Sequence, residues 1–368
     1  CLPWPPGSGP PSHYTPRGRP QPGGAVGGAV FSVGGLLFYP ASQTMVYWHF
    51  LAALYILAGG LSILETSANP YIIVLGPEAT GTQRLNLAQS FNPIGSIMGV
   101  VISKIWILSE LRELSAEQRA ALPAAELERI QMGELEAVMG PYVAVAVGML
   151  VIGALIWFCR MPNSSDQGNG EETKLNLGAT VGRLVKNPRY MTGVVAQFFY
   201  VGAQIGVWSF TIRYVMKELN LNEEQSSTYY IASLVLFAAS RFVCTGLMTV
   251  YAPGKILMTL AVLAMICTAG VIWAGGTVGV YSLVGISGCM SLMFPTIYGL
   301  AVRGLGTDTK IGGSGLIMAI LGGAVITALQ GQVSDGTGNI NLSYLVPLAC
   351  FGVIALYALM ETRHPVQR

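Results

Sequence analysis

Leu64-Glu65-Thr66-Ser67-Ala68-Asn69-Pro70-Tyr71 places a carboxylate and an amide inside an otherwise apolar run that extends from about residue 45 to residue 75. That run is longer than the ~20 residues that a helix needs to cross a bilayer. An isolated acidic side chain at bilayer depth costs about 2.5 kcal/mol or more, so it usually faces a polar cavity, pairs with a partner or carries a proton. The stretch predicts a membrane helix in which Glu65 is functional. A structural carboxylate bonded to a neighbouring helix is the alternative.

The composition is typical of an integral membrane protein. Of the 368 residues, 52% are hydrophobic and 10% are charged, whereas about 25% of the residues in soluble proteins are charged. Apolar runs recur along the chain and are continuous, as from Ile256 to Ile272, which excludes the alternating pattern of a membrane β-barrel. We therefore predict an all-α membrane protein in contact with the lipid bilayer.

Other classes of protein find no support in the sequence. The net charge of +2 does not indicate nucleic-acid binding, and the histidines His13, His49 and His364 are too scattered for a metal site. No nucleophile–base pair or nucleotide motif indicates an enzyme. The glycine-rich segment 312–323 lacks the Lys-Ser/Thr of a phosphate loop and is predicted to be a closely packed helix.

Ten membrane segments are predicted, and a polar central loop divides them into four and six. Two six-helix halves with a substrate site between them form a common transporter architecture, so about 10 of an expected 12 helices are present. The segments are 24–40, 45–75, 84–109, 141–160, 188–216, 226–249, 254–274, 277–301, 311–333 and 340–360.

The predicted domains follow this division. Residues 25–160 form the remainder of an N-terminal half, residues 161–187 the central loop, residues 188–361 a six-helix C-terminal half and residues 362–368 a tail. Residues 1–24 hold eight of the twenty prolines and are expected to be disordered and foreign to the rest. Since the first two of twelve helices are expected to be missing, this chain expressed alone is expected to show no active uptake of a substrate.

Charge asymmetry predicts the orientation. Lysine and arginine cluster around the central loop and in the tail, and this side is therefore cytoplasmic. The opposite side carries an acidic loop between residues 110 and 136, which is predicted to form a short amphipathic helix outside the membrane.

Two groups of polar residues, one in the opening stretch and one in the next segment, mark candidate binding positions on α-helices. Glu65 and Asn69 share one helix face, and Pro70 frees a carbonyl, which predicts a locally unwound spot. Gln89, Asn92 and Ser96 also share a face, and amides suit sugar hydroxyls because they both donate and accept hydrogen bonds. Interhelical hydrogen bonding is the alternative, and for Asn86 it is equally favoured.

A stripe of amides and aromatic rings marks a later segment. Gln197, Tyr200, Gln204 and Trp208 recur on one face, which predicts a cavity-facing surface because sugar sites combine amides with a flat ring. Core packing is the alternative. Arg241 lies in an apolar segment. Either it acts as a gate or forms a pair that changes between conformational states, or it anchors its helix at the membrane surface.

These motifs resemble the fucose:proton symporter family of the major facilitator superfamily. The resemblance rests on Leu64–Tyr71, Leu75-Gly76-Pro77-Glu78, Arg84–Asn92 and Phe294-Pro295-Thr296-Ile297. It implies a twelve-helix symporter in a bacterial inner membrane, which imports L-fucose with a proton by alternating access. It also implies that Glu65 acts in sugar recognition and proton coupling and that Gln89 and Asn92 line the cavity.

The expected function is therefore proton-coupled sugar import by a monomer, with the proton as coupling ion and no cofactor. The predicted sugar-binding residues are Glu65, Asn69, Gln89, Asn92, Gln204 and Trp208. Two departures from the family pattern are the absence of a first helix with its aspartate and the presence of Phe294 where a tyrosine can stand. Glucose, galactose or another hexose is the alternative substrate, and a membrane sugar sensor that does not transport is the alternative from another class.

Overall fold

The structure, a computed structural model, describes residues 22–44, 46–102, 122–158 and 177–363. Predictions for residues 1–21, for the acidic residues before 122, for most of the central loop and for the end of the tail lie outside these residues. The described residues form helices and turns without strands. Nine stretches among them are long and apolar enough to cross a bilayer, which confirms the prediction of an all-α membrane protein.

The helices are numbered here in chain order. They are α1 (Pro22–Leu36), α2 (Phe38–Thr44), α3 (Tyr47–Val74), α4 (Gly81–Gln89), α5 (Asn92–Ile102), α6 (Ala124–Phe158), α7 (Leu177–Lys186), α8 (Pro188–Leu219), α9 (Glu223–Leu247), α10 (Pro253–Trp273), α11 (Gly276–Met290), α12 (Met293–Ala301), α13 (Thr309–Met318), α14 (Gly322–Thr337), α15 (Ile340–Ser343) and α16 (Leu345–Arg363).

Four predicted segments are divided shortly before or at a proline, namely 24–40, 84–109, 277–301 and 340–360, and the second and third of these lie beside the candidate site. The segment predicted at 84–109 is divided into α4 and α5, and the segment predicted at 277–301 is divided into α11 and α12. Pro93 and Pro295 have no N–H to donate to the carbonyl four residues earlier, which weakens the helix there. By contrast, α3 continues through Pro70, so the predicted unwound spot is wrong.

Two other elements differ from the predictions. Helix α6 begins at Ala124 and takes in Glu126 and Glu134, so these acidic residues do not belong to a separate short helix. The C-terminal part of the predicted central loop forms α7, an amphipathic helix whose buried residues are Thr180 and Leu184.

An ion pair attaches α7 to the turn before α13. Arg183 donates from Nη2 to Asp308 Oδ1 at 2.7 Å and from Nε to Oδ2 at 2.9 Å. Thr180 Oγ1 lies 3.4 Å from the same carboxylate. Hydrogen bonding from Arg183 holds the pKa of Asp308 below its ordinary value, so this carboxylate stays ionised across the physiological range.

The density of internal contacts divides the chain into two units. One comprises Cys1–Leu64 and Tyr142–Gly170, and the other comprises Glu65–Pro141 and Glu171–Arg368. In the first unit the Phe38 ring stacks on Tyr142 with centroids 4.3 Å apart. The second unit holds every residue of the candidate site described below. The predicted division at the central loop stays a prediction.

Helix α8 lies in the core of the second unit. Tyr200, Val207 and Tyr214 are fully buried on it, and glycines allow α14 to approach closely. A Cβ atom on Gly202 would lie 2.5 Å from Ile326 Cβ, and one on Gly322 would overlap the Phe198 carbonyl. The predicted close packing of the glycine-rich segment is confirmed at Gly322.

We expect Gly202→Ala to lower the stability of the protein by about 1–3 kcal/mol, because the added methyl must displace Ile326. The thermal midpoint of the purified protein in detergent measures this effect. Gly352→Ala is the matched control, since nothing lies within 4 Å of a Cβ atom at Gly352. Equal midpoints for the two variants would contradict the packing described for α8 and α14.

We expect Asp308→Asn to release α7, because the amide keeps the shape of Asp308 but loses the ion pair with Arg183. Limited proteolysis should then cleave residues 177–186 faster. In the unmodified protein the cleavage rate should not change between about pH 8 and pH 5. The pKa of Asp308 in the folded protein is lowered from the value of about 3.9 that an aspartate has in an unfolded chain, so Asp308 stays ionised over this range. Asp335→Asn is the control. Equal cleavage of both variants would contradict this role.

Candidate functional site

The second unit contains a cavity of about 190 Å³. Its volume suits a small ligand, since drug-sized molecules occupy pockets of about 300–1,000 Å³. Of the six predicted site residues, it is lined by Glu65, Gln89, Asn92, Gln204 and Trp208. These five come from four helices, α3, α4, α5 and α8.

Glu65 is half-buried at the edge of this cavity. Among the described residues none forms a hydrogen bond or ion pair with its carboxylate. Since an unpaired carboxylate is costly at membrane depth, Glu65 has the environment expected of a group that binds a polar ligand or a proton.

Asn69 lies behind the cavity rather than in its lining. It is 3% exposed, and its Oδ1 accepts a hydrogen bond of 3.0 Å from Gln89 Nε2. This contact occupies one side of the Gln89 amide and leaves Oε1 of Gln89 as the acceptor that a ligand can reach. Asn69 thus orients Gln89 in this structure.

The polar face predicted for the next segment survives its break. Gln89 ends α4, and Asn92 and Ser96 lie on α5, yet all three line the cavity. Asn86 is fully buried and donates from Nδ2 to Thr296 Oγ1 at 3.2 Å. Of the two alternatives left open for Asn86, the structure shows the interhelical hydrogen bond.

The predicted stripe on α8 is only half correct. Gln204 and Trp208 line the cavity, whereas Gln197 and Tyr200 are fully buried. The Tyr200 hydroxyl donates to the Met290 carbonyl at 3.0 Å. All four residues share one face, but the first two lie nearer the start of α8, where α11 and α12 pack against it.

Trp208 is held by two contacts. Its Nε1 donates to Ser287 Oγ at 3.2 Å, and its ring meets Phe237 edge to face with centroids 5.0 Å apart. Because the indole N–H is already bonded, Trp208 offers ring carbons to a ligand rather than a hydrogen bond. A rigid aromatic surface of this kind suits the C–H side of a sugar.

Arg241 is a site residue that the sequence did not assign to the cavity. It lines the cavity and is 4% exposed, so it does not reach the membrane surface as an anchor. Its Nη1 donates to the Gln89 carbonyl at 2.9 Å, and its Nε donates to the Ser291 carbonyl. The guanidinium also stacks over Phe237, with Cζ 4.6 Å from the ring centroid. The signal in the sequence was a lone charge in an apolar helix.

The remaining lining is largely apolar. Val201, Leu234 and Phe294 contribute to it, so the cavity combines polar groups with an apolar part. Phe294 lies in the position where the family resemblance allows a tyrosine, and it offers no hydroxyl to a ligand there.

The sequence matches the Major Facilitator Superfamily over residues 18–329. The L-fucose-proton symporter of Haemophilus influenzae is 38% identical over 344 residues, which cover 90% of this chain and 79% of that protein. The glucose/galactose transporter of Brucella abortus is 31% identical over 92% of this chain and 77% of that protein.

A solved structure agrees with this assignment. The crystal structure of a major facilitator superfamily transporter, FucP, in the outward conformation is 36% identical and matches with a TM-score of 0.85 over 94% of this chain and 83% of that one. The predictions of the fold class and of a transporter rather than an enzyme are confirmed. The chain therefore belongs to the major facilitator superfamily and, within it, to the fucose:proton symporter family.

Proposed function

We propose that this protein is a proton-coupled symporter that imports L-fucose across a bacterial inner membrane by alternating access. One observation carries the proposal: a single cavity gathers Glu65, three amides and Trp208 from four helices. This set combines the two things that proton-coupled sugar transport needs, which are hydrogen-bonding groups beside an aromatic ring and one titratable group.

The residues that contact the sugar are Glu65, Gln89, Asn92, Gln204 and Trp208, and Asn69 supports Gln89 from behind the cavity. Asn92 and Gln204 offer amides that both donate and accept, as hydroxyls require. Gln89 offers its Oε1 and one N–H, because Asn69 accepts only one of the two Nε2 hydrogens. Trp208 packs on the C–H side of the ring, and Asn69 acts through Gln89.

L-fucose is favoured over glucose and galactose by the apolar part of the cavity. L-fucose carries a methyl group where those hexoses carry a hydroxymethyl group. Val201, Leu234 and Phe294 suit the methyl group, whereas a hydroxyl placed against them loses its hydrogen bonds with water. Such a pocket discriminates by about 100-fold at most. The greater similarity to relatives named L-fucose-proton symporter supports the same choice.

Glu65 couples sugar transport to the proton. An ionised carboxylate resists transfer into a closed, low-dielectric cavity, and protonation removes that penalty. A proton taken up from outside therefore lets the loaded cavity close and reorient. Release of the proton inside restores the charge and resets the carrier.

The remaining features follow from the same proposal. The protein acts as a monomer in the lipid bilayer and uses the proton as coupling ion without a further cofactor. Its central loop and C-terminus are cytoplasmic. Basic residues, among them Arg183, Lys186 and Arg363, occur in these two segments, and loops rich in lysine and arginine are retained in the cytoplasm.

The test is uptake by vesicles that contain the protein encoded by its native gene. We expect unchanged L-fucose to accumulate against its gradient and a protonophore to abolish the accumulation. Stronger competition by glucose or galactose than by L-fucose would move the assignment to the hexoses. Saturable binding without accumulation would favour a sensor.

We expect Glu65→Gln to abolish proton-driven accumulation, because the amide keeps the shape of the side chain but cannot titrate. Exchange of labelled for unlabelled sugar across the membrane should persist and lose its pH dependence. Glu224→Gln, an exposed position in the first turn of α9, is the control. Normal accumulation by Glu65→Gln with normal pH dependence would return Glu65 to a structural role.

We expect Gln204→Ala to weaken sugar binding by about 1–3 kcal/mol, which corresponds to roughly 5- to 150-fold, because the sugar loses one hydrogen bond. Gln89→Ala should weaken binding at least as much, since it also leaves Asn69 Oδ1 without its donor. Gln83→Ala is the control, because Gln83 lies on α4 outside this cavity. Calorimetry on the purified variants measures the affinity, and equal affinities for all three would remove the amides from the site.

A further inference from the structure

Arg241 is a charged group of the cavity that the proposed sugar and proton chemistry leaves unused. It lies on α9 and is 4% exposed. In the described part of the chain no carboxylate forms an ion pair with it. Its partners are two backbone carbonyls, those of Gln89 and Ser291.

A proline leaves each of these carbonyls without a partner in its own helix. The carbonyl of residue i normally accepts from the N–H of residue i+4. Residue i+4 is Pro93 for Gln89 and Pro295 for Ser291, and proline has no N–H. Both carbonyls lie where a helix ends, at α4 and at α11, and helix C-termini carry partial negative charge. One guanidinium thus satisfies two carbonyls that prolines have freed on two different spans.

We propose that Arg241 is a positioning residue that holds the α4–α5 and α11–α12 breaks together beneath the sugar cavity and so keeps that side of the cavity closed. We call the contact of Arg241 with the Gln89 and Ser291 carbonyls the arginine bridge. The proposal rests on the proposed transport function. It adds that the bridge must open when the cavity opens to this side.

Three further contacts continue the arginine bridge along α4 and α12 and between the turns that flank these two helices. Asn86 bonds to Thr296, a Cβ atom on Gly299 would lie 2.7 Å from Thr82 Oγ1, and the Gly304 N–H donates to Glu78 Oε1 at 3.0 Å. We call these three pairs the seam. The seam ends beside Arg303, on the side assigned to the cytoplasm, and the arginine bridge closes its cavity end.

Gln89 joins the bridge to the sugar site. Its side chain lines the cavity and bonds to Asn69, while its carbonyl accepts from Arg241. A change in the position of Gln89 on one side is therefore transmitted to the other. Arg241 suits this task better than a lysine, because a planar guanidinium presents several donors in fixed directions and stacks on an aromatic ring, here Phe237.

Chemical labelling in the absence of sugar tests the bridge. Ser90, next to Gln89, is fully buried, and Ser90→Cys changes it little in size. We expect a membrane-impermeant maleimide, applied from the side of Gly304, to label Ser90→Cys slowly. Adding Arg241→Gln should raise this rate about tenfold, as loss of hydrogen bonds from a charged donor implies. Arg241→Lys should give an intermediate labelling rate. Arg213→Gln is the control and should leave the rate unchanged, because Arg213 is exposed. Labelling of protein without Ser90→Cys is subtracted.

Transport supplies a second readout that a purely structural role would not change. Arg241→Gln should lose accumulation yet keep saturable binding of L-fucose as purified protein, because a cavity that stays open to one side still admits sugar but does not complete the transport cycle. Unchanged labelling in the Arg241→Gln protein would overturn the proposal, and so would an equal loss of accumulation and of L-fucose binding. If Arg241→Gln fails to fold, unchanged labelling in Arg241→Lys overturns it instead. Labelling needs no sugar, so the two proposals can fail separately. If the unmodified protein does not transport L-fucose but Arg241→Gln still speeds the labelling of Ser90→Cys, the proposed function is refuted and the arginine bridge is retained.

Discussion

A membrane-spanning chain must satisfy its backbone hydrogen bonds internally, because the hydrocarbon core offers no water. In the described part of the chain the spans meet that constraint by helix formation, and a break before a proline leaves a carbonyl that needs another donor. Pro93 and Pro295 each free a carbonyl, and Arg241 takes up both. The break in the α4–α5 span lies beside the cavity, so the same defect that weakens the helix also brings backbone polarity to the site.

The hydrogen bonds already present in the cavity determine which of its polar groups a ligand can bind. Trp208 Nε1 is occupied by Ser287, and one side of Gln89 is occupied by Asn69. Glu65 and Gln204 have no such partner among the described residues. A ligand therefore meets a mixture of free acceptors, free amide groups and a fixed ring. That mixture suits a polyhydroxy compound better than an ion or an apolar molecule.

The sequence was informative where a residue type is costly in a membrane and where spacing defines a face. Glu65 was identified by the cost of its charge, and Gln89, Asn92 and Ser96 by their spacing on one face, and all four line the same cavity. Spacing was insufficient for Gln197 and Tyr200, because periodicity gives the face of a helix but not the depth at which a neighbour covers it. Helix α7 was missed, since its buried Thr180 and Leu184 pack against residues that are distant in the sequence, such as Asp308 and Leu316.

The partners of Arg241 were not predictable from local sequence for a related reason. Each freed carbonyl is visible as a proline four residues downstream, but which donor reaches it depends on three spans packing together. Gln89 stands at the junction of these two kinds of information. Its place before a break puts its side chain in the cavity and its carbonyl on the seam side. At the break, Ser90 and Phe91 donate to carbonyls three residues earlier and Pro93 donates none, so α5 can bend relative to α4 at lower cost than within a continuous helix. Binding at Asn92 on α5 and closure along α4 are therefore mechanically distinct events, and Gln89 is the residue at which they meet.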